Sequence, residues 1–429
     1  MADTVATPGS GERQIFLFLL WEASRQHEAE IIDDIGRHFT ILKQYEVLWP
    51  QAGWVRHLEA FYGHASQVWI AKARRNGTGP FRVVIVEDPQ SRYDLRDNLR
   101  GMKELVNVNI YDAKQRYRKL IRSKDKVHSS VNLRETRHNL AVLLDMTLEQ
   151  FLRRVTPDGA VEHLFAAPQA VTGWRSLEHL FTILNETVPY VVMRNFETLL
   201  SPQAAPSDHE DIDLMVSSRE LFVAITGARR MSGKPTHVGH LLRVGERVVK
   251  LDLREPDDGY YAPALARDMI ARGEVRDGVI RVPCAEDHFY TLLYHALIHK
   301  QAVAPDYRAF FPDAAPGLGL AGFAERYARE GDACLKALLA EWLCRNGYPY
   351  CRPRSGKVGF NSANLADGPG VLKLKPSRAH LCSAELGFNR LKLHLLTGVD
   401  LPNLFRFQLR LGGLFKIDLC LGEVKEIGI

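Results

Sequence analysis

Cysteine is scarce in this 429-residue sequence and follows no pattern. The six cysteines, at 284, 334, 344, 351, 382 and 420, form no CxxC pair and no regular framework, which argues against a disulfide scaffold. A reducing compartment with mostly buried thiols is the expectation. Long hydrophobic runs are missing as well. "IFLFLLW" (15–21) is the most apolar early stretch, and it is too short to span a bilayer. The stretch before it, "MADTVATPGSGER", lacks the basic region and long apolar segment of a secretory signal, so a cytoplasmic location is expected. No repeat or low-complexity tract is present. The net charge of +5 is small for this length and does not imply nucleic acid. One basic cluster stands out, "AKQRYRKLIRSKDK" (113–126), with seven Lys and Arg against one Asp; it reads as a solvated helix face or a phosphate-facing surface.

What is present is an α/β alternation long enough for two or three domains. Residues 1–13 read as a disordered tail. From 14 to 150, "QIFLFLLWE", "TILKQYEVLWP" and "FRVVIVEDP" read as strands. "RQHEAEIIDDIGRHF", "GWVRHLEAFYG", "AKQRYRKLIR" and "LRETRHNLAVLLDM" read as helices between and after them. A second unit is expected over 160–310. It contains the helix "GWRSLEHLFTILNETV", the strand "PYVVMRN", a further strand at 211–216 and the helix "SSRELFVAITGARR". A hairpin turning at Val244-Gly245-Glu246 and a helix over 285–302 follow. Residues 311–429 read as a helical piece (320–346) and a mixed region in which "FRFQLRLGGLFKIDLCLGE" (405–423) is open to reading as a sheet edge, a partner surface or a membrane-proximal segment, with packing preferred. The expected fold class is α/β (α+β), multidomain, with an N-terminal α/β sandwich followed by a mixed sheet with helices.

The chemistry concentrates in "SDHEDIDLMV" (207–216). Asp211 and Asp213 stand two apart in an apolar strand and so point to one face. In the later hairpin strand Val248, Lys250, Asp252 and Arg254 alternate with apolar residues, which puts Asp252 on a polar face nearby. Three carboxylates on neighbouring strands need a counter-charge. Hard divalent cations such as Mg2+ take oxygen ligands, commonly a few carboxylates completed by substrate phosphates. Two such ions can stabilise the attacking and leaving oxygens of an in-line displacement.

Helix, strand, turn, paired-Asp strand and a later strand with a third acid: this order resembles the nucleotidyltransferase fold of the DNA polymerase β superfamily. The resemblance implies that Asp211, Asp213 and Asp252 hold Mg2+ and the triphosphate of an NTP substrate. His209 and Glu210 are added polar groups beside them. Where that superfamily has Gly-Ser at the turn, this chain has Arg194 and Asn195, and Arg194 is expected to grip phosphate as a bidentate donor. Lys250 is a further nucleotide-binding candidate.

Two nearby motifs are set aside. "GARRMSGKP" (227–235) has five residues between its glycines where a P-loop needs four, and Pro235 stands in place of Ser or Thr. "HALIH" (295–299) has zinc-like spacing but no glutamate after the first His. It is read as part of a packed helix bringing His288, Tyr294 and His299 near the cleft, with Lys300 at its end within reach of a substrate phosphate.

Further upstream, "DKVHSSVNLRETRHNLAVLL" (125–144) resembles the active-site segment of nucleoside diphosphate kinases, and the likeness extends weakly over 14–147. It implies a ferredoxin-like sandwich, with His128 at the position of the phosphorylated histidine and Ser130 at the serine that follows it. Arg116, Arg118 and Lys124 are then candidate phosphate contacts. The kinase lysine of the first strand is missing from "LLWEAS" (19–24), and Val131 replaces the aspartate after the serine.

The leading expectation is a Mg2+-dependent enzyme that transfers a nucleotidyl or phosphoryl group from an NTP to a small-molecule or sugar acceptor, with nucleotide-sugar or surface polysaccharide metabolism as the setting. Two alternatives stand beside it: a non-catalytic nucleotide-binding or scaffold protein, and a nucleoside diphosphate kinase-like phosphotransferase using His128. Nucleic acid is ranked low as a partner, because the basic residues lie away from the Asp motif and carry little aromatic interleaving.

Overall fold

The computed structural model describes residues 12–51, 53–63, 68–97, 103–157, 159–165, 169–200, 211–232, 237–300, 302–354 and 358–374, and the strands 382–388, 391–397, 405–411 and 415–421. Within them the chain is a mixed α/β protein that divides into two compact units. The first holds the described residues up to Pro189 together with 220–228 and 242–248. The second holds Tyr190–Arg219, Arg229–Leu241 and the described residues from Val249 onward.

The first unit begins β1 (Ile15–Leu20), α1 (Glu28–His38), β2 (Thr40–Leu48), α2 (Trp54–Tyr62), α3 (Val68–Asn76) and β3 (Phe81–Glu87). It continues β4 (Tyr93–Asp97), β5 (Lys103–Asn107), α4 (Val108–Leu120), β6 (Val127–Ser129), α5 (Leu133–Leu144) and α6 (Leu148–Arg154). β7 (Val161–Phe165), α7 (Gln169–Thr172) and α8 (Leu177–Thr187) complete it. The sheet order is β6-β1-β3-β2-β7. β1 runs antiparallel to β3 and β6, and β2 runs antiparallel to β3 and parallel to β7. Its first four strands give the 4-1-3-2 order of a ferredoxin-like sandwich.

The unbroken apolar run of β1 is explained by its place: all six residues are buried, as a central strand covered on both faces requires. One layer sets Phe16, Phe18, Val84 and Val86 against Ile31 and Ile35 of α1 and Ile110, Ala113 and Tyr117 of α4. At the end of β1, Trp21 meets Phe81 at 4.9 Å, and Trp49 meets Trp54 at 5.1 Å, between ring centroids. The helix α3 and the ribbon of β4 with β5 were not anticipated. Both are rich in charge and poor in apolar periodicity, so pattern reading has nothing to hold there.

The other five-stranded sheet, whose strands fall mainly in the second unit, has the order β10-β11-β12-β9-β8. It is built from β8 (Tyr190–Val192), β9 (Ile212–Val216), β10 (Arg229–Arg230), β11 (Gly239–Val244) and β12 (Arg247–Arg254), with α9 (Arg219–Thr226) between β9 and β10. β8 is antiparallel to β9, and β12 is parallel to β9. The hairpin turns where expected, with Gly245 at φ +58°, a conformation that favours glycine. After it come α10 (Pro263–Ala271), β13 (Glu274–Arg276), β14 (Ile280–Val282), α11 (Ala285–Tyr294), α12 (Pro305–Ala314), α13 (Phe323–Glu330) and α14 (Asp332–Arg345).

These helices bury a core that includes Leu265, Met269, Phe289, Leu293, Leu297, Leu339 and Trp342. Residues 295–299 do not continue α11 as an α-helix but wind as a π-helix. Beyond them lie β15 (Tyr350–Cys351) and β16 (Val371–Leu372). An antiparallel meander of β17 (Cys382–Phe388), β18 (Leu391–Thr397), β19 (Phe405–Leu411) and β20 (Phe415–Leu421) ends the described chain. No helix among the described residues is long and apolar enough to cross a membrane.

Candidate functional site

In the second unit the backbone N–H of Met193 donates to the carbonyl of Asp213 at 2.9 Å, so the turn after β8 begins beside β9. Asn195 in that turn has φ +57°. This is the left-handed region that asparagine tolerates better than other residues with a side chain. Asp213 and Asp252 are directly in register on the parallel strands β9 and β12, whose spacing is about 4.8 Å. Asp211 is exposed, one residue before β9 begins. The pKa of Asp252 is raised, first by burial and then by the nearby charges of Asp213 and Asp211. The register thus sets two of these acids, Asp213 and Asp252, side by side on adjacent strands. Lys250 lies exposed two residues before Asp252 on β12, and His209 and Glu210 fall outside the described residues.

Arg194 supplies the local counter-charge. Its Nε donates to Asp213 Oδ2 at 2.7 Å, and its Nη1 donates to the Tyr260 hydroxyl at 3.2 Å. The Tyr260 hydroxyl in turn lies 2.7 Å from His295 Nδ1. Tyr260 is clamped from several sides. Its N–H donates to Asp258 Oδ1 at 2.8 Å, its carbonyl accepts from His299 Nε2 at 2.9 Å, and the Arg254 guanidinium lies 4.3 Å over its ring. Arg254 pairs with Asp258 at 3.7 Å, and Arg219 pairs with Glu255 at 3.2 Å. Burial holds His295 far below the ordinary histidine range and His299 down to about 3, so both are neutral imidazoles.

Of the residues named for this helix from sequence, His288 instead lies against Phe196 and Phe310, and Tyr294 donates toward the Cys351 carbonyl. Tyr260 escaped sequence reading, and His295 entered it only within the "HALIH" spacing that was set aside. The available signal was the i, i+4 histidine pair of "HALIH", and its meaning depends on the π-helix, a form found often at functional positions.

Among the described residues no group of three His, Cys, Asp or Glu side chains is arranged as a metal site. Asp213 and Asp252 in register are oxygen donors of the kind a hard divalent cation takes, and by themselves they do not complete a coordination shell.

In the first unit His128 lies on β6, paired with Leu19 of β1. Its Nε2 is 3.2 Å from Asn139 Nδ2 and 3.6 Å from Glu135, with the rings of Phe61 and Tyr62 at 5.2 and 5.6 Å. Its pKa lies well below the ordinary value, through burial first and then the charges of Lys114, Lys72 and Arg118. Burial brings both lysines down to about 8. Lys72 sits 3.6 Å over the Tyr62 ring, and Arg118 donates to the Val127 carbonyl at 3.1 Å.

Arg116, expected beside a phosphate here, is placed elsewhere. Its guanidinium pairs with Asp34 at 3.0 Å, because α4 turns successive residues to different faces. Ser130 is structural: its hydroxyl accepts from the Leu17 N–H at 3.0 Å and from Thr136 at 2.9 Å. Lys72 and Lys114 were missed as partners of His128, since α3 is invisible in the pattern and Lys114 is buried against expectation for its type.

No family model and no curated protein matches this chain. One solved structure, an orthorhombic crystal form C222 of the Aquifex aeolicus nucleoside diphosphate kinase, is similar over 30% of this chain and 94% of its own, at 12% identity and a TM-score of 0.22. A likeness of that size bears on neither fold nor activity, and the strand order carries the fold.

Proposed function

We propose that the second unit is a Mg2+-dependent nucleotidyl- or phosphoryl-transferring enzyme acting from an NTP onto a small-molecule or sugar acceptor. The observation that carries this reading is the register of Asp213 with Asp252 on adjacent parallel strands, with Asp211 two residues before Asp213. Asp213, Asp252 and Asp211 would hold the ion, and a bound Mg2+ would neutralise charge on a transferring phosphoryl group. Arg194 has the planar fork that suits carboxylate and phosphate alike, so it would receive an anionic substrate group. The test is calorimetric titration of ATP, CTP, GTP and UTP, with and without Mg2+, on the wild type and on an Asp211→Ala/Asp213→Ala variant. Mg2+-dependent binding that vanishes in the variant supports the reading and names the nucleotide. Binding that survives in the variant removes it.

A second reading is favoured by a separate observation. His128 is held neutral by burial and then by the charges of Lys114, Lys72 and Arg118, and a neutral imidazole is the form that can act as a nucleophile toward a phosphoryl group. Incubation with ATP followed by detection of an acid-labile, base-stable phosphoryl group, absent in His128→Asn, tests it.

A further inference from the structure

Arg194 occupies an oxygen of the very carboxylate on which the proposed cation site depends. This is a built contact, as the hydrogen-bond directions show. A guanidinium only donates, so the Tyr260 oxygen accepts from Arg194 Nη1 at 3.2 Å, and the single hydroxyl proton of Tyr260 is left for His295 Nδ1 at 2.7 Å. That arrangement needs a neutral imidazole with Nδ1 free to accept; His295 is buried, which disfavours the charged ring, and the hydrogen bond to Tyr260 is the contact that selects the tautomer. The Tyr260 ring cannot swing away, since the His299 ring lies at 4.1 Å and the Arg254 guanidinium at 4.3 Å. The Arg194 and Asp213 side chains keep only 15% and 13% exposure.

We propose that the Arg194–Asp213 ion pair is a latch, held shut by Tyr260 and His295, that keeps the carboxylate site closed to divalent cations until a phosphate ester or anhydride of the substrate draws Arg194 away. The latch rests on the reading of the three aspartates as a cation site. Tyr260 acts in it as a positioning residue: it fixes Arg194 and touches neither cation nor substrate. Because a cation and Arg194 compete for Asp213, and the phosphate and Asp213 compete for Arg194, cation and phosphate tighten each other's binding by linkage.

The experiment is a titration with Mn2+ alone, read by electron paramagnetic resonance of the free ion, on wild type, Arg194→Gln, Arg194→Lys, Tyr260→Phe and Asp213→Asn, each checked for folding by circular dichroism. The latch predicts that Arg194→Gln binds Mn2+ roughly ten-fold or more tightly than wild type, the scale of one charge-assisted hydrogen bond no longer broken first. Tyr260→Phe should lie between the two, and Arg194→Lys should stay near wild type because the positive charge remains. A side chain that merely supports the fold would not tighten metal binding when cut back. If Asp213→Asn abolishes Mn2+ binding but Arg194→Gln and Tyr260→Phe bind no more tightly than wild type, the latch is overturned and the carboxylate site stands. If no protein binds Mn2+ in a manner that depends on Asp213, the carboxylate reading falls and the latch with it.

Discussion

Asp252 is held in a place that does not suit its charge. Its carboxyl titrates above the ordinary range because burial and the carboxylates of Asp213 and Asp211 disfavour ionisation. The folded state therefore takes up a proton on this group more readily than the unfolded chain does, and ionised Asp252 costs stability at neutral pH. The cost is absent below the unfolded value of about 4 and is fully present once pH exceeds the folded value. Asp252→Asn should accordingly stabilise the protein at pH 7, on the order of 1 kcal/mol, as substitutions that relieve a functional site commonly do. Its advantage should fade as pH falls toward 4. Urea unfolding of both proteins at pH 4 and pH 7 checks it, and an Asn variant less stable than wild type at pH 7 would mean that Asp252 is bound by favourable contacts instead. This residue was legible from the alternation of "VVKLDLR", since a strand with a buried face leaves a charged position only on the other. Tyr260 was not, because its role comes from a hydroxyl that meets two side chains 66 and 35 residues distant.

Caps explain where the helices beside His128 begin. Asn132, 1% exposed, accepts from the Glu135 N–H at 2.9 Å and so starts α5 directly after the strand that bears His128. Asn107 does the same for α4 through the Ile110 N–H at 3.0 Å, and it is itself tied to Asp88 at 2.8 Å. Loss of such a cap costs about 0.5–2 kcal/mol. Asn132→Ala should fall at the upper end, because its amide also donates to Glu104 at 3.1 Å. Guanidinium unfolding followed by circular dichroism measures it, and Asn132→Asp, which keeps the accepting oxygen, should recover part of the loss. A destabilisation equal in both variants would assign the effect to the lost amide donor. Helices with an apolar stripe, such as α1 with Ile31 and Ile35 inward, were plain in the sequence, as were the apolar strands β1 and β3. The failures have a common cause. α3, the β4–β5 ribbon and the π-helix at 295–299 are set by what packs against them, which no local period encodes.

At the scale of the whole molecule the two candidate sites belong to different compact units, and the tryptophans are distributed so that each unit can be watched. Trp21, Trp49, Trp54, Trp69 and Trp174 lie in the first unit and Trp342 in the second. In a Trp342→Phe variant, fluorescence follows the unit that contains His128. Around that histidine Lys72 and Lys114 sit with pKa values lowered to about 8, so their charged forms cost stability that is regained as pH rises from 8 toward the unfolded value near 10.4. An anion that settles among Lys72, Lys114 and Arg118 binds the folded state alone, and at a hundred-fold excess over its Kd it would add about 2.7 kcal/mol. Inorganic phosphate should therefore raise the fluorescence-detected melting temperature at pH 7 and do so less at pH 9.5, where both lysines lose charge. Lys114→Met should raise the melting temperature in the absence of phosphate and blunt the response to it. Chloride at matched ionic strength controls for screening, which acts on exposed charges far more than on these. A phosphate shift that Lys114→Met leaves intact would place the anion elsewhere. No shift at either pH would mean that the buried cations are balanced by Glu135 and by packing, leaving the carboxylates of the second unit as the chain's candidate for phosphate chemistry.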